Sequence, residues 1–349
     1  MTKVLVVATA RKTRGGISSV IKAHETGEQW KKYHCHWIQT HRDGPVWRKL
    51  LYFTTGMIDF LIRIPFYDIA HIHISQPTTI LRKRPFLNIS KALGKKIIVH
   101  FHAFNVEDTI KGHFSKQYND FFRNADKIIV LSNWWKNQLI NTLSLSPDTI
   151  EVLYNPCPMV NHNNLNHTDM ILYAGTINER KGYKDLIKAF AKIAVKYPTW
   201  KLSMAGNGEI EQGKQLAKNL GIYDRIEFLG WVNGLHKERT FQEASIFCLP
   251  SYAEGFPMAV LDAWAYGLPV ITTPVGGIPD VAKDGDNMLL FMPGDIQTLS
   301  IKLEQLISDQ KLRNKISIAS LDLAANEFNQ ETINHHLKSI YDNLLTQND

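Results

Sequence analysis

Ser251-Tyr-Ala-Glu254-Gly255-Phe256-Pro257-Met-Ala-Val-Leu-Asp262-Ala-Trp-Ala-Tyr-Gly267-Leu-Pro269-Val-Ile-Thr272 sets one acid ahead of a helical stretch and a second acid inside it. Apolar runs flank the segment, Ile246 to Leu249 before it and Val270 to Thr273 after it, so the whole reads as strand, loop, helix, strand. Pro257 suits the first helical turn, where its missing N–H costs nothing, and Gly267 with Pro269 supplies the stop. A helix between two buried β-branched runs is the crossover of a parallel sheet, and the backbone donors at its start face the mouth of that sheet. In a helix the separation of the two acids is ~12 Å, long enough to hold two ends of one extended ligand.

The same alternation runs through the chain. In the first half the candidate strands are Lys3 to Ala8, His34 to Gln39, Ile69 to Ile74, Lys96 to His102, Lys127 to Leu131 and Ile150 to Tyr154. In the second they are Met170 to Ala174, Lys201 to Ala205, Ile226 to Leu229, Ile246 to Leu249, Val270 to Thr273 and Met288 to Phe291. This predicts an α/β protein with two Rossmann-like domains built on parallel sheets. The expected division is a first domain over 1–160, a polar Asn-rich linker over 161–168, a second domain over 169–330, and a C-terminal helix over 331–349. Trp47, Leu50, Leu51, Met57, Ile58 and Leu61 recur at helical spacing; the βαβ order predicts that this stripe packs on the first sheet, in preference to lying on a membrane.

A length of 349 residues exceeds one hydrophobic core, and 44% hydrophobic with 21% charged content is that of a soluble globular chain. The three cysteines, Cys35, Cys157 and Cys248, form no CxxC pair, so neither a disulfide framework nor a zinc knot is expected, and a cytoplasmic location follows. Of the net charge of +7, residues 1–165 carry 22 Lys and Arg against 11 Asp and Glu, and residues 166–349 carry 18 against 22. The first half therefore points to an anionic partner such as the inner face of the plasma membrane, although Arg48-Lys49, Arg82-Lys83-Arg84 and Lys95-Lys96 each read as a solvated face. No nucleic-acid signature accompanies them.

Ligands bind outside the carboxyl ends of the strands of an open parallel sheet. There this chain places Gly175 to Gly182 with Arg180 and Lys181, Gly206-Asn-Gly208, Gly230-Trp231-Val232, Pro250 to Glu254, and Pro274 to Asp280. Arg180 and Lys181 stand before a helix beginning near Tyr183, where cations and free N–H groups suit a diphosphate. Gly206-Asn-Gly208 has Glu211 where a dinucleotide fingerprint needs a third glycine, so it is not that motif. Asp284-Gly-Asp286 reads as a turn. His71 and His73, like His100 and His102, share one face of a strand; without an acidic or cysteine companion at ligand spacing no metal is assigned.

These motifs resemble those of retaining glycosyltransferases of family 4, which carry a Glu, seven residues, Glu pattern where Glu254 and Asp262 stand; the resemblance implies the GT-B fold, with the two parallel sheets facing across a cleft and the helix over 331–349 packing back on the first domain. The resemblance covers nearly the whole chain and is strongest from Gly175 to Gly294. It implies a nucleotide-sugar donor, UDP- or GDP-linked, as substrate, with no cofactor and no metal, and a saccharide or lipid-linked saccharide as acceptor in surface polysaccharide biosynthesis. It assigns Lys181 and Arg180 to the diphosphate, Glu254 with Gly255, Phe256 and Pro257 to the donor sugar, and Asp262 to the ribose. Gly206, Gly208, Trp231 and Val232 join the donor-binding set. Gly16, in Thr13-Arg14-Gly15-Gly16, would approach the phosphates, and His102 would face the reacting centre. Two departures stand out: Asp262 is one methylene shorter than the family acid, and Thr176 occupies the place of a family arginine. An epimerase on the same fold and a non-catalytic sugar-nucleotide or lipid-binding protein are the rival readings.

Overall fold

Strands form where the short apolar runs lie, and all of them pair in parallel. In the computed structural model, which describes residues 2–160 and 166–346, the first half supplies β1 (Val4–Ala8), β2 (His36–Gln39), β3 (Ile69–Ile74), β4 (Lys96–Phe101), β5 (Lys127–Val130) and β6 (Ile150–Val152). The second supplies β7 (Met170–Ala174), β8 (Lys201–Ala205), β9 (Ile226–Gly230), β10 (Ile246–Leu249), β11 (Val270–Thr272) and β12 (Leu289–Leu290). Each lies within two residues of its predicted bounds. Such runs are apolar on both faces because helices cover both sides of the sheet, as with Val4 to Ala8, which are all buried.

The chain divides into two units, Met1–Pro156 with Gln330–Asp349, and Cys157–Asn329. In the first unit the strand order is β2-β1-β3-β4-β5-β6. Its helices are α1 (Gly16–Glu25), α2 (Glu28–Lys32), α3 (Val46–Arg63), α4 (Pro77–Ala92), α5 (Ser115–Arg123) and α6 (Asn133–Leu143). In the second unit these are followed by α7 (Tyr183–Ile193), α8 (Ile210–Asn219), α9 (Gly234–Glu243), α10 (Met258–Ala265), α11 (Ile296–Ser308) and α12 (Gln310–Ala325). The last helix, α13 (Gln330–Thr346), belongs to the first unit. Its stripe of Ile333, Leu337, Ile340, Tyr341 and Leu344 is buried with Val6, Ile69 and Ile98 of the sheet. Each such aliphatic side chain contributes about 1.5–3 kcal/mol by burial. The opposite face holds Phe60, Phe86, Phe101, Phe122 and Trp135.

In the second unit the order β12-β11-β10-β7-β8-β9 is the doubly wound arrangement, with its switch point between β7 and β10. Residues 161–165 of the predicted linker lie outside the described residues. Asn166 and Thr168 donate backbone hydrogen bonds to Gln242 O and Glu243 O at the end of α9, which ties them to the second unit.

Three local expectations are corrected. Pro257 is the N-cap of α10 and not its first helical residue, with Val260 N–H donating to its carbonyl. Arg82-Lys83-Arg84 is no solvated face: Lys83 is buried with Nζ donating to Thr40 Oγ1 at 2.5 Å, Arg82 reaches His41, and Arg84 pairs with Asp120. The third concerns α3. Of its predicted core stripe only Met57 packs inward; Trp47, Leu50, Leu51, Ile58 and Leu61 face outward, and the helix packs through Phe53, Gly56, Met57 and Phe60. Gly56 decides this: a Cβ there would lie 2.5 Å from Gln39 O, so only glycine lets the helix approach β2 so closely.

Candidate active site

The loops after β7 and β10, on either side of the switch point, converge on one carboxylate. After β7 the chain runs through Gly175 to a short 3-10 turn, Glu179–Lys181, whose start is capped by Asn178, its side chain accepting from Lys181 N–H. Gly182 then turns with φ 68° into α7, and a Cβ at that point would sit 1.9 Å from Pro250 O. Only glycine meets both demands, so Gly182 sets how closely the β7 loop abuts the β10 loop. Tyr252 N–H donates to Arg180 O at 2.7 Å, a second tie between them.

These ties aim the side chains. Lys181 Nζ lies 2.5 Å from Glu254 Oε1, Ser251 Oγ donates to the same oxygen at 2.6 Å, and Arg180 Nη1 stands 3.5 Å from Oε2. The Arg180 guanidinium is fixed by donating to Ala253 O at 2.6 Å. Glu254 is 7% exposed. A carboxylate buried to that degree is tolerated because its charge is paired and hydrogen-bonded. The lysine ammonium carries three donors, of which Glu254 uses one, so it can bridge this carboxylate and a further anion. Gly276 completes the floor, since a Cβ there would lie 2.3 Å from Glu254 O, and Gly277 N–H donates to Gly255 O at 2.7 Å.

Asp262 lies on α10, part-buried, with Lys237 Nζ of α9 donating to Oδ1 at 2.6 Å. Burial pushes its carboxyl above the ordinary value, and the Lys237 charge opposes that rise. Phe256 is buried against Trp264 and Phe328, so what it can offer a ligand is backbone. Gly206 and Gly208 have a packing reason of their own: added Cβ atoms would lie 1.8 Å from Gly175 O and 2.2 Å from Ile177 O. Trp231 is exposed at the end of β9, beside the half-buried Val232. Asp284 and Asp286 form a turn and pair with Lys302 and Lys315.

In the first unit Gly16 opens α1 after Gly15 at φ 138°. His102 follows β4, half-buried, its Nε2 2.9 Å from Nδ1 of His73. Behind it, His71 Nε2 stands 3.3 Å from His100 Nδ1, and His71 Nδ1 is 2.7 Å from the Tyr341 hydroxyl. The strand period produces this: His73 and His100 are register partners, and all four histidines point to one face. Burial holds every one of them neutral, pushing His102 down to about 3 and His24, which bonds Asn334, down to about 4. The ring nitrogens of His71, His73 and His100 come within 4.8 Å of one another. Yet His71 stacks on His100 at 11° and on His73 at 21°, so in-plane lone pairs run side by side and do not converge on one ion. A hydrogen-bonded stack suits this geometry better than tetrahedral ligation.

Ser251, Lys237 and His73 were missed by sequence reasoning. Ser251 and His73 sat inside motifs already singled out; Lys237 is an ordinary helix lysine, and no sequence signal marks its reach to Asp262.

A glycosyltransferase family 4 model matches residues 14–159, and a glycosyl transferases group 1 model matches residues 160–321. The chain belongs to this glycosyltransferase family. An uncharacterized glycosyltransferase of Haemophilus influenzae is 30% identical over 220 residues, which are 62% of this chain and 61% of that one. A capsular polysaccharide biosynthesis glycosyltransferase of Staphylococcus aureus is 28% identical over 188 residues, 54% of this chain and 50% of its own. The chain thus spans half to three fifths of these relatives. The crystal structure of Anabaena HepE in complex with UDP matches with a TM-score of 0.78 at 17% identity, over 98% of this chain and 100% of that one. The fold of this glycosyltransferase-family chain is GT-B, two six-stranded parallel sheets with flanking helices.

Proposed function

We propose that this chain is a retaining, metal-independent glycosyltransferase, without a cofactor, that moves a sugar from a UDP- or GDP-linked donor to a saccharide or lipid-linked saccharide acceptor. The capsular relative supports surface polysaccharide assembly as the setting, and the UDP bound to HepE makes UDP-sugars the first donors to try. One observation carries the reading: Lys181, Arg180 and Glu254 meet at the switch point of the second sheet, where that fold binds ligands.

In this mechanism the bond from the anomeric carbon to the diphosphate oxygen breaks while the acceptor oxygen attacks on the same face. The acceptor proton passes to the departing phosphate. Lys181 and Arg180 take up the negative charge that builds on the diphosphate, each good preorganised donor lowering the barrier by ~3–4 kcal/mol. Glu254, held by Ser251, accepts from donor-sugar hydroxyls, and the backbone from Gly255 to Pro257 lines the same place. Asp262, positioned by Lys237, accepts from the ribose; its short side chain makes the approach of α10 the deciding distance. Gly206, Gly208, Trp231 and Val232 complete the donor side, and the family resemblance assigns Gly16 to phosphate and His102, as a neutral ring, to the sugar. The test is nucleotide release from UDP- and GDP-sugars with and without acceptor, with the anomeric configuration of the product read by NMR. Acceptor-dependent release with retained configuration is expected. Donor conversion without acceptor indicates an epimerase, and binding without release a non-catalytic protein; either overturns the reading.

A further inference from the structure

Helix α3 turns its most apolar side to solvent. Around its 18 residues, Trp47, Leu50, Leu51, Ile58, Leu61 and Ile62 fall on one arc at 100° per residue, with only Thr54 among them and Thr55 at its edge. Trp47 is 63% exposed, Leu50 60%, Ile58 58% and Ile62 65%, and Phe66, in the 3-10 turn that follows, 72%. The opposite side is already occupied by its packing on β2 through Gly56 and Phe60. Rotation to bury the apolar arc is therefore closed off. A contiguous exposed apolar face of this size marks an interaction surface, because isolated exposed hydrophobes do not line up along a helix.

Charge decides the partner. One edge of the arc is bordered by Arg48, whose guanidinium lies 5.3 Å from the Trp47 ring, and farther round by Arg63, paired with Asp59; the other edge carries Met57 and Val46. Lys49 stands on the same helix, and Lys95 Nζ bonds Pro65 O at 3.0 Å beside its end. These cations belong to the half of the chain that carries 22 basic against 11 acidic residues. Basic residues along one edge of an uncharged face, with a tryptophan at one end and a phenylalanine at the other, are the pattern of a helix lying in a bilayer interface. Among the described residues no helix is long and apolar enough to cross a membrane, so the contact is one of surface.

We infer that α3 is an interfacial membrane anchor, its Trp47-to-Phe66 side seated in the headgroup region of an anionic bilayer. This deepens the lipid-linked acceptor of the proposed function by naming the surface that brings the enzyme to it, and it does not need turnover to be tested. The apolar arc supplies insertion, and Arg48, Lys49, Arg63 and Lys95 supply attraction to phosphate headgroups.

The experiment is co-sedimentation of the full chain with phosphatidylcholine vesicles and with vesicles containing about one third phosphatidylglycerol. Binding to the anionic vesicles is expected, weakened at high salt because exposed charges are screened. Leu50→Ser with Ile58→Ser and Leu61→Ser is expected to lower it at least about tenfold, since three buried apolar side chains are lost. Removing each cation by Arg48→Gln or Lys49→Gln lowers it about fivefold. An Ile62→Cys variant carrying a polarity-sensitive fluorophore leaves the fold undisturbed and should shift to the blue on anionic vesicles alone. Absence of wild-type binding, or no shift at position 62, overturns the inference. So does a lipid-free dimer in analytical ultracentrifugation that the triple serine variant dissociates, which would make the face a contact between copies. A chain that binds vesicles but transfers no sugar keeps this inference and sinks the proposed function; transfer without binding does the reverse.

Discussion

The two sheets end differently. At the carboxyl edge of the first, β3 and β4 present a stack of neutral histidines bonded to one another; at that of the second, the loops after β7 and β10 present a buried carboxylate held by two cations. Both edges bury polar groups, and both must avoid an uncompensated charge. The first avoids it by keeping imidazoles unprotonated, the second by pairing full charges. The same topology can therefore be made sensitive to acid on one side and to loss of a single partner on the other.

The largest expected effect follows from the histidines. His24, His71, His73, His100 and His102 all have folded values depressed by burial below the ordinary 6.5. The unfolded chain binds more protons below that value, so stability is intact above it and is lost as pH falls through 6.5 toward about 3 to 4. Each histidine contributes a slope on the order of 1 kcal/mol per pH unit, so the first unit should unfold well before strong acid. Hydrogen exchange at pH 7.5, 6 and 5 checks this: protection should fall first in β3 and β4, and equal loss in β7 and β10 would erase the contrast.

The second unit is probed by Lys181→Met. With a partner of a buried pair removed, denaturant unfolding should show a loss of about 3 kcal/mol. An unchanged midpoint would mean that Arg180 alone neutralises Glu254. A smaller effect, about 2 kcal/mol, is expected from Gly182→Ala, where φ 68° and the 1.9 Å approach to Pro250 O both penalise a side chain. Its donor affinity should fall with it if the spacing of the two loops aims Lys181. The smallest belongs to Lys237→Ala. That pair is more open, so stability should drop by at most about 1 kcal/mol, while a nucleotide-affinity loss larger than the stability loss would mark Lys237 as positioning Asp262.

The fold was legible because the strands are short, largely apolar runs between polar turns, and Glu254 with Lys181 was legible because both follow such runs. What escaped has a physical cause. Periodicity locates the apolar side of α3 but does not say which way it faces; Gly56 does, through a backbone approach that sequence spacing cannot reveal. Lys83 looked like one of three surface cations, yet its stem runs inward to Thr40. Lys237 and Asp262 meet across two helices, and His73 and His102 across two strands, distances that appear only after the chain has folded.

Single-turnover kinetics of Glu254→Gln and Lys181→Met, with a UDP-sugar and a saccharide acceptor, test the central claim most directly. The chemical step should slow by about 10²–10³ in each while circular dichroism shows the fold intact. Wild-type rates in both variants would contradict the assignment of the second unit's switch point as the place where the sugar bond breaks.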